Sequence, residues 1–217
     1  MSKKVLIISG SPRKGGNSDI LCDRFREGAE AAGNTVEKVF LRSLKIGPCM
    51  ACYGCRGKGV CVQKDDMEEL LDQMVKADVL VLATPVYFYS MDGQLKTMID
   101  RTLPRYTEIR DKDVYFIATA AAGRRSMERT MDAMQGFADC LPGARVMGRI
   151  YGEGVYPKGE VEATAAFEQD YEAGRSLCQR KTRQERTNEE DAEANCWKRP
   201  GGVSHWAWRH GGEHCLR

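Results

Sequence analysis

Histidine is scarce in this sequence. The chain of 217 residues has three histidines, His205, His210 and His214, and all of them lie near its end. The long part that precedes them therefore contains no imidazole to act as the general base of a Cys–His or Ser–His–Asp hydrolase. This absence favours chemistry that is carried by a bound cofactor, which the protein needs mainly to position.

Charge of one sign and long apolar runs are also scarce. The formal net charge is +2, so we expect no basic field and no nucleic-acid partner. The apolar run at residues 5–8 is too short for the core of a signal peptide, and no window is long enough to span a membrane. We therefore expect a cytoplasmic protein that has no membrane partner.

Five apolar or β-branched runs predict strands, and amphipathic stretches between them predict helices. The strands are expected at residues 3–9, 35–41, 78–84, 114–119 and around 146–151. The helices are expected at residues 17–32, 67–76, 92–103, 126–140 and 160–178. This alternation predicts right-handed crossovers and a doubly wound, five-stranded parallel sheet of the α/β class. In such sheets, ligands bind beyond the carboxyl ends of the strands.

The composition changes after residue 178. All three histidines and all three tryptophans lie in residues 179–217, which we expect to form an irregular, mobile extension of a domain at residues 1–178. A metal site is the alternative for this extension, although its ligand spacing matches no known pattern. Its ligands would be Cys196, His205, His210, His214 and Cys215.

The first strand is followed by a loop rich in glycine and hydroxyl groups, which opens a helix. The loop reads Ser9-Gly10-Ser11-Pro12-Arg13-Lys14-Gly15-Gly16-Asn17-Ser18, and Asn17 or Ser18 is expected to cap the helix. Glycines allow backbone N–H groups to face a phosphate, and a helix N-terminus favours negative charge. The pattern therefore predicts a site for a phosphoryl group.

Two better-known phosphate motifs do not fit this loop. A Walker A motif needs lysine and then serine or threonine where Gly16 and Asn17 stand, and a dinucleotide fingerprint needs glycine where Pro12 stands. A monophosphate such as that of FMN remains, and a glycine-rich turn without a ligand is the alternative.

The third strand leads into a run of aromatic residues, Pro85-Val86-Tyr87-Phe88-Tyr89-Ser90, and Pro85 is expected to end the strand. A flat ring can lie against such residues, although aromatic side chains at a strand end more often belong to the core. The segments GSPRKGGNS, TPVYFYSMDGQLKTMIDR and ATAAAG resemble the NAD(P)H-dependent FMN reductase and iron-sulfur flavoprotein branch of the flavodoxin-like superfamily. The resemblance covers nearly all of residues 1–177.

The resemblance implies a flavodoxin-like strand order, 2-1-3-4-5, and a set of residues that hold FMN. The phosphate would lie on Ser9, Ser11, Arg13, Asn17 and Ser18. The flavin ring would be bordered by Pro85, Val86, Tyr87 and Phe88, with Ala121, Ala122 and Gly123 on its other side. Lys96, Asp100 and Arg101 are expected to be mainly structural, with Asp100 and Arg101 paired. Relatives often pair so that one subunit covers the flavin of the other, which implies a homo-oligomer.

A cysteine-rich loop follows the second strand. Cys49, Cys52 and Cys55 recur every three residues, and Cys61 follows six residues later. This spacing favours an iron–sulfur cluster, because thiolates on successive turns can reach separate corners of a cuboidal core. Free thiols and zinc are the alternatives, although zinc usually takes two separated cysteine pairs.

The same spacing is similar to the compact cysteine motif of iron-sulfur flavoproteins, which carry a 4Fe-4S cluster beside FMN. The resemblance thus implies Cys49, Cys52, Cys55 and Cys61 as its ligands. The remaining cysteines of residues 1–178, namely Cys22, Cys140 and Cys178, are expected to be buried on apolar helix faces.

The leading hypothesis is an FMN-dependent oxidoreductase. It would transfer electrons from NAD(P)H as co-substrate, or from a reduced carrier, to a small-molecule acceptor, with a 4Fe-4S cluster as an intermediate site. One alternative is a one-electron carrier linked to ferredoxin. Others are a clusterless FMN-binding regulatory module without turnover and a zinc-bearing interaction domain.

Overall fold

The computed structural model describes residues 2–178, which form a parallel sheet covered by helices on both faces. The strands are β1 (Lys4–Ser9), β2 (Thr35–Phe40), β3 (Val79–Tyr87), β4 (Ser90–Met91), β5 (Asp113–Thr119) and β6 (Arg145–Gly152). The helices are α1 (Asn17–Ala31), α2 (Met67–Lys76), α3 (Gly93–Asp100), α4 (Glu128–Asp139) and α5 (Ala165–Arg175). The predicted extension at residues 179–217, with its candidate metal ligands, lies outside the described residues.

The order of the parallel strands is β2-β1-β3-β5-β6, which confirms the expected order 2-1-3-4-5. The sheet has one addition, because β4 pairs with β3 in the antiparallel direction to form a short hairpin. The doubly wound α/β prediction is therefore confirmed. Adjacent parallel strands β1, β3 and β5 place the loops that follow them at one edge of the sheet.

Two apolar layers hold the helices against the sheet. Successive strand residues point to opposite faces, so that Leu80 and Leu82 pack with α2, α3 and α4, whereas Val79 and Val81 pack with α1 and α5. Both sets are fully buried. Burial on both faces explains why the strands are continuous apolar runs in the sequence.

Several element boundaries differ from the prediction, among them the shorter helices α3 and α5, and two of them bear on the site. β3 does not end at Pro85 but runs on to Tyr87, with Pro85 in register with Thr119 of β5. Proline is tolerated there because β1 stops opposite Ala83, so this part of β3 is an edge that needs no donor on that side. The N-cap of α1 is Gly16, not Asn17 or Ser18, and the nearby carboxylate of Asp19 accepts a hydrogen bond from the Gly15 amide at 2.7 Å.

Helices α1 and α5 cross at two glycines. A Cβ atom on Gly28 would lie 2.1 Å from the carbonyl oxygen of Tyr171, and one on Gly174 would lie 2.2 Å from that of Phe25. Such distances leave no room for a side chain at either position. Asp170 is buried in the same interface, and burial raises the pKa of its carboxyl well above the usual range.

No helix within residues 2–178 combines the length and the apolar character that a bilayer crossing requires.

Asp170→Asn tests the buried carboxyl. A raised folded-state pKa favours folding below the unfolded pKa of about 3.9 and loses that contribution as the pH rises through the folded pKa. The variant keeps the shape and cannot ionise, so at pH 8 it should be more stable than the wild type by about 1 kcal/mol or more. The difference should shrink toward pH 4 in urea denaturation. Asp132→Asn, on the exposed face of α4, should change stability at neither pH, and equal behaviour of the two variants would contradict the assignment.

Candidate functional site

A buried junction joins the ends of β1 and β3 to the start of α3. The hydroxyl of Thr84 donates to Oδ2 of Asp92 at 2.8 Å and accepts from the Asp92 amide at 2.9 Å. The other carboxylate oxygen caps α3 by accepting from the amides of Gln94 at 2.9 Å and Leu95 at 3.1 Å. Burial raises the pKa of Asp92, and the hydrogen bonds that its carboxylate accepts from Thr84, Leu95 and Gln94 partly oppose the effect.

Gly10 completes the junction because it leaves space for Asp92. Its amide donates to the carbonyl oxygen of Ala83 at 2.8 Å, and a Cβ atom on it would lie 2.3 Å from Oδ2 of Asp92. The first loop and the end of β3 are thus held in contact. Sequence reasoning missed Asp92, although an aspartate directly before a helical pattern is a capping signal.

The first loop presents hydrogen-bond donors at the start of α1. The hydroxyl of Ser9 is buried and has no hydrogen-bond partner within residues 2–178. Ser18 is also buried, with its hydroxyl 3.3 Å from that of Thr119. The first amides of any helix lack intrahelical partners, so α1 adds unpaired N–H groups beside these hydroxyls. Donors grouped in this way can bind an anion.

The three other residues that were predicted to bind the phosphate have different surroundings. Ser11 is buried, and its hydroxyl exchanges hydrogen bonds with the backbone of Arg13 at 3.1 and 3.2 Å, while the Arg13 side chain is exposed. The amide side chain of Asn17 donates to Pro157 at 2.9 Å and accepts from Gly159 at 3.0 Å. Asn17 therefore ties the start of α1 to the loop that follows β6.

A cavity of about 480 Å³ opens between the first loop and the end of β3. Its lining residues come from the first loop, from the segment after β2, and from β3 and α3: Pro12, Leu41, Leu44, Ile46, Tyr87, Asp92, Gly93, Gln94 and Thr97. The volume is in the range of small-molecule and cofactor sites. The first loop contributes Pro12 to this lining and the aromatic segment contributes Tyr87, whereas the predicted phosphate-binding residues do not line the cavity.

The predicted ring-binding residues differ in their relation to this cavity. Tyr87 lines it, Pro85 and Val86 precede it on β3 and are half-buried, and Phe88 is fully exposed at the hairpin tip. The segment from Ala121 to Gly123 does not line the cavity. It follows β5, beside the end of β3, and is exposed.

The hairpin tip has an unusual backbone. Phe88 and Tyr89 both have positive φ, 50° and 64°, in a two-residue turn that normally favours glycine or asparagine. Strain of this kind is concentrated at functional sites.

The cysteine loop is open and irregular. Cys49 and Cys52 are exposed, and Cys55 and Cys61 are half-buried. No three or more His, Cys, Asp or Glu side chains are grouped to hold a metal within the described part of the chain. The thiol donor set fits a cluster in its chemistry. In the described arrangement, however, the four cysteine side chains are not grouped around one point.

The cysteines outside the loop meet their prediction in part. Cys22 is fully buried in α1, Cys140 is half-buried, and the side chain of Cys178 lies outside the described residues.

The expected pairing of Asp100 with Arg101 is wrong. Asp100 pairs with Lys96, one turn earlier, whereas Arg101 makes a bidentate pair with Asp65 at 2.7 and 2.8 Å. Adjacent helical residues point in different directions, so neighbours in sequence do not face each other. The Arg101 guanidinium lowers the pKa of the Asp65 carboxyl.

Comparison with known proteins identifies the family of the chain. The sequence model of a family described as NADPH-dependent FMN reductase matches residues 3–153. An iron-sulfur flavoprotein of Archaeoglobus fulgidus is 46% identical over 101 residues, 46% of each chain. A second from that organism is 31% identical over 169 residues, 76% of this chain and 83% of the other. The chain spans about half the length of the first of these relatives.

Solved structures show the same fold. An NAD(P)H:quinone oxidoreductase from Methanothermobacter marburgensis superposes with a TM-score of 0.66 at 18% identity, over 84% of this chain and all of the other.

Gly10→Ala tests the junction. The new methyl group would overlap the Asp92 carboxylate, so we expect the free energy of unfolding to fall by about 1–3 kcal/mol. The matched control is Gly93→Ala, where a Cβ atom would meet nothing within 4 Å. Urea denaturation of both variants measures the difference, and a Gly10→Ala protein as stable as the control would show that the contact is not required.

Proposed function

Since the chain belongs to the NADPH-dependent FMN reductase family, we propose that it is an FMN-dependent oxidoreductase that passes electrons from NAD(P)H, or from a reduced carrier, to a small acceptor. The observation that carries the proposal is the shared cavity. Pro12 of the first loop and Tyr87 at the end of β3 line it, and the same loop carries the buried hydroxyl of Ser9, which has no partner among the described residues. A ligand with a phosphate at one end and a flat ring at the other matches both.

The residues of the first loop fit a phosphate. The buried hydroxyl of Ser9 has no partner among the described residues, so an incoming oxygen anion would satisfy it. Ser18 and the first-turn amides of α1 would donate alongside. Exposed Arg13 and Lys14 add positive charge at the mouth of the loop. Asn17 has both ends of its amide engaged elsewhere, so its contribution would come from its backbone N–H.

The ring would lie in the cavity, against Tyr87 and beside Pro85 and Val86. The apolar side chains of Leu41, Leu44 and Ile46 form the wall that would exclude water. Phe88 and the segment from Ala121 to Gly123 would border the ring from the neighbouring loops. Asp92 caps α3 and shapes this wall through Thr84, a positioning role.

FMN, when bound, supplies the capacity to accept two electrons and to release them singly or together. The chain provides binding, orientation and exclusion of water. No histidine lies within residues 2–178, so the reaction must proceed without an imidazole there.

We further propose that the cysteine loop holds a 4Fe-4S cluster on Cys49, Cys52, Cys55 and Cys61. The spacing of the thiols and the names of the related proteins support this. So does the backbone, in which Ala51 and Tyr53 on either side of Cys52 have positive φ, 49° and 55°. Cluster binding would require the four sulfurs to move together from their described positions.

Ser9→Ala tests the phosphate site. The variant loses a hydrogen bond to a charged group, so the Kd for FMN should rise about 10- to 100-fold. The apoprotein should keep its stability, because the hydroxyl removed has no partner within residues 2–178. Fluorescence titration with FMN measures the affinity, and Ser176→Ala at the end of α5 is the control. An unchanged Kd for Ser9→Ala would exclude this residue from the site.

Anaerobic purification tests both cofactors and the reaction. We expect flavin absorbance, about four iron and four sulfide per chain, and loss of iron in Cys52→Ser but not in Cys140→Ser. Flavin absorbance without iron would refute only the proposed cluster. A colourless protein that binds no added FMN would refute the proposed flavin site. Steady-state oxidation of NADPH by a small acceptor separates a reductase from a one-electron carrier linked to ferredoxin.

A further inference from the structure

Helix α3 connects the cavity with the cysteine loop. At its start, Asp92, Gly93 and Gln94 line the cavity. At its other end, Arg101 follows the last helical residue and turns its side chain into the protein. That side chain is 1% exposed, which is exceptional for an arginine.

The contacts of Arg101 join the two ends of the cysteine loop. Its Nη1 atom donates to the carbonyl oxygen of Gly47 at 2.7 Å, and both of its terminal nitrogens bind the Asp65 carboxylate. The same carboxylate accepts from the Gly47 amide at 3.1 Å. Residues 48–64, with all four cysteines of the loop, therefore lie between two points that a single guanidinium holds together.

One cysteine of the loop lies beside the same guanidinium. Cys61 and Arg101 line a small cavity of about 130 Å³ under the loop. Asp65 raises the pKa of Arg101 against the effect of burial, and the Cys61 sulfur acts in the same direction from close range. The arginine thus binds the loop at its start and at its end, and lies beside its last cysteine.

We propose that Arg101 is the positioning residue of the cysteine loop, which closes the loop at its base and holds Cys61 at one end of α3 while the other end of the helix lines the flavin cavity. The importance of that placement for electron transfer rests on the proposed function. The closure itself requires neither flavin nor metal. A lysine cannot substitute, because it lacks the planar fork that serves a carboxylate and a carbonyl together.

Site-resolved alkylation of the full-length protein tests the closure. In Arg101→Gln the rate of Cys61 modification by iodoacetamide, followed by mass spectrometry, should rise about tenfold because the loop opens locally. Cys22, a fully buried residue of α1, should change by less than about twofold and reports global opening. Trypsin cleavage after Arg56 and Lys58, exposed in the loop, should accelerate in parallel and does not depend on the state of the thiols.

Two further variants make the test specific. Lys96→Gln removes an exposed ion pair of the same helix and should leave both rates unchanged. Arg101→Lys should behave like Arg101→Gln. Should Arg101→Gln fail to fold because it leaves a half-buried carboxylate unpaired, Arg101→Met combined with Asp65→Leu removes both charges and should still open the loop.

Three results would overturn the proposal: an unchanged Cys61 rate, a Cys22 rate that rises in step with it, or an Arg101→Lys protein that behaves as the wild type. Flavin and iron contents measured on the same samples report separately on the proposed function. If the protein contains neither flavin nor iron but Arg101→Gln still raises the rate of Cys61 modification, the closure is supported and the cofactor assignment is refuted.

Discussion

The hydrogen bonds between Thr84 and Asp92 set the geometry of the site. Through them the end of β3 is tied to the cap of α3, and the space that Gly10 leaves brings the first loop against the same carboxylate. The first loop, the aromatic segment and the cavity wall are thus all held by the contact of Asp92 with Thr84 and Gly10. Because unsatisfied buried carboxylates are costly, each of these hydrogen bonds also keeps the others in place.

The architecture could be predicted from the alternation of apolar strands and amphipathic helices, since burial of both sheet faces imposes that pattern locally. Features that depend on contacts between residues far apart in the sequence could not be predicted in this way. Whether Pro85 fits a strand depends on where β1 ends. The direction of the Asn17 side chain depends on a loop 140 residues later. Residue type identified the donors of the first loop, and only the fold shows which of them stay available.

The pairing of Arg101 with Asp65 illustrates the same limit. The two residues are 36 positions apart, and no periodicity in the sequence links them. For the cysteine loop, spacing indicates which metal centre the thiols suit, but the arrangement of the sulfurs depends on a backbone with several left-handed residues. α3 joins two regions of the molecule, with the cavity of about 480 Å³ at its start and the base of the cysteine loop just past its end.

The glycine crossing of α1 and α5 has a consequence for ligand binding. Where two helices touch through their backbones, no side chain is available to change rotamer, so α1 has little freedom to slide or rotate. Its amino-terminal N–H groups are therefore aimed before any anion arrives. The entropy cost of ordering these N–H groups belongs to folding, so an anion that bound there would require little rearrangement.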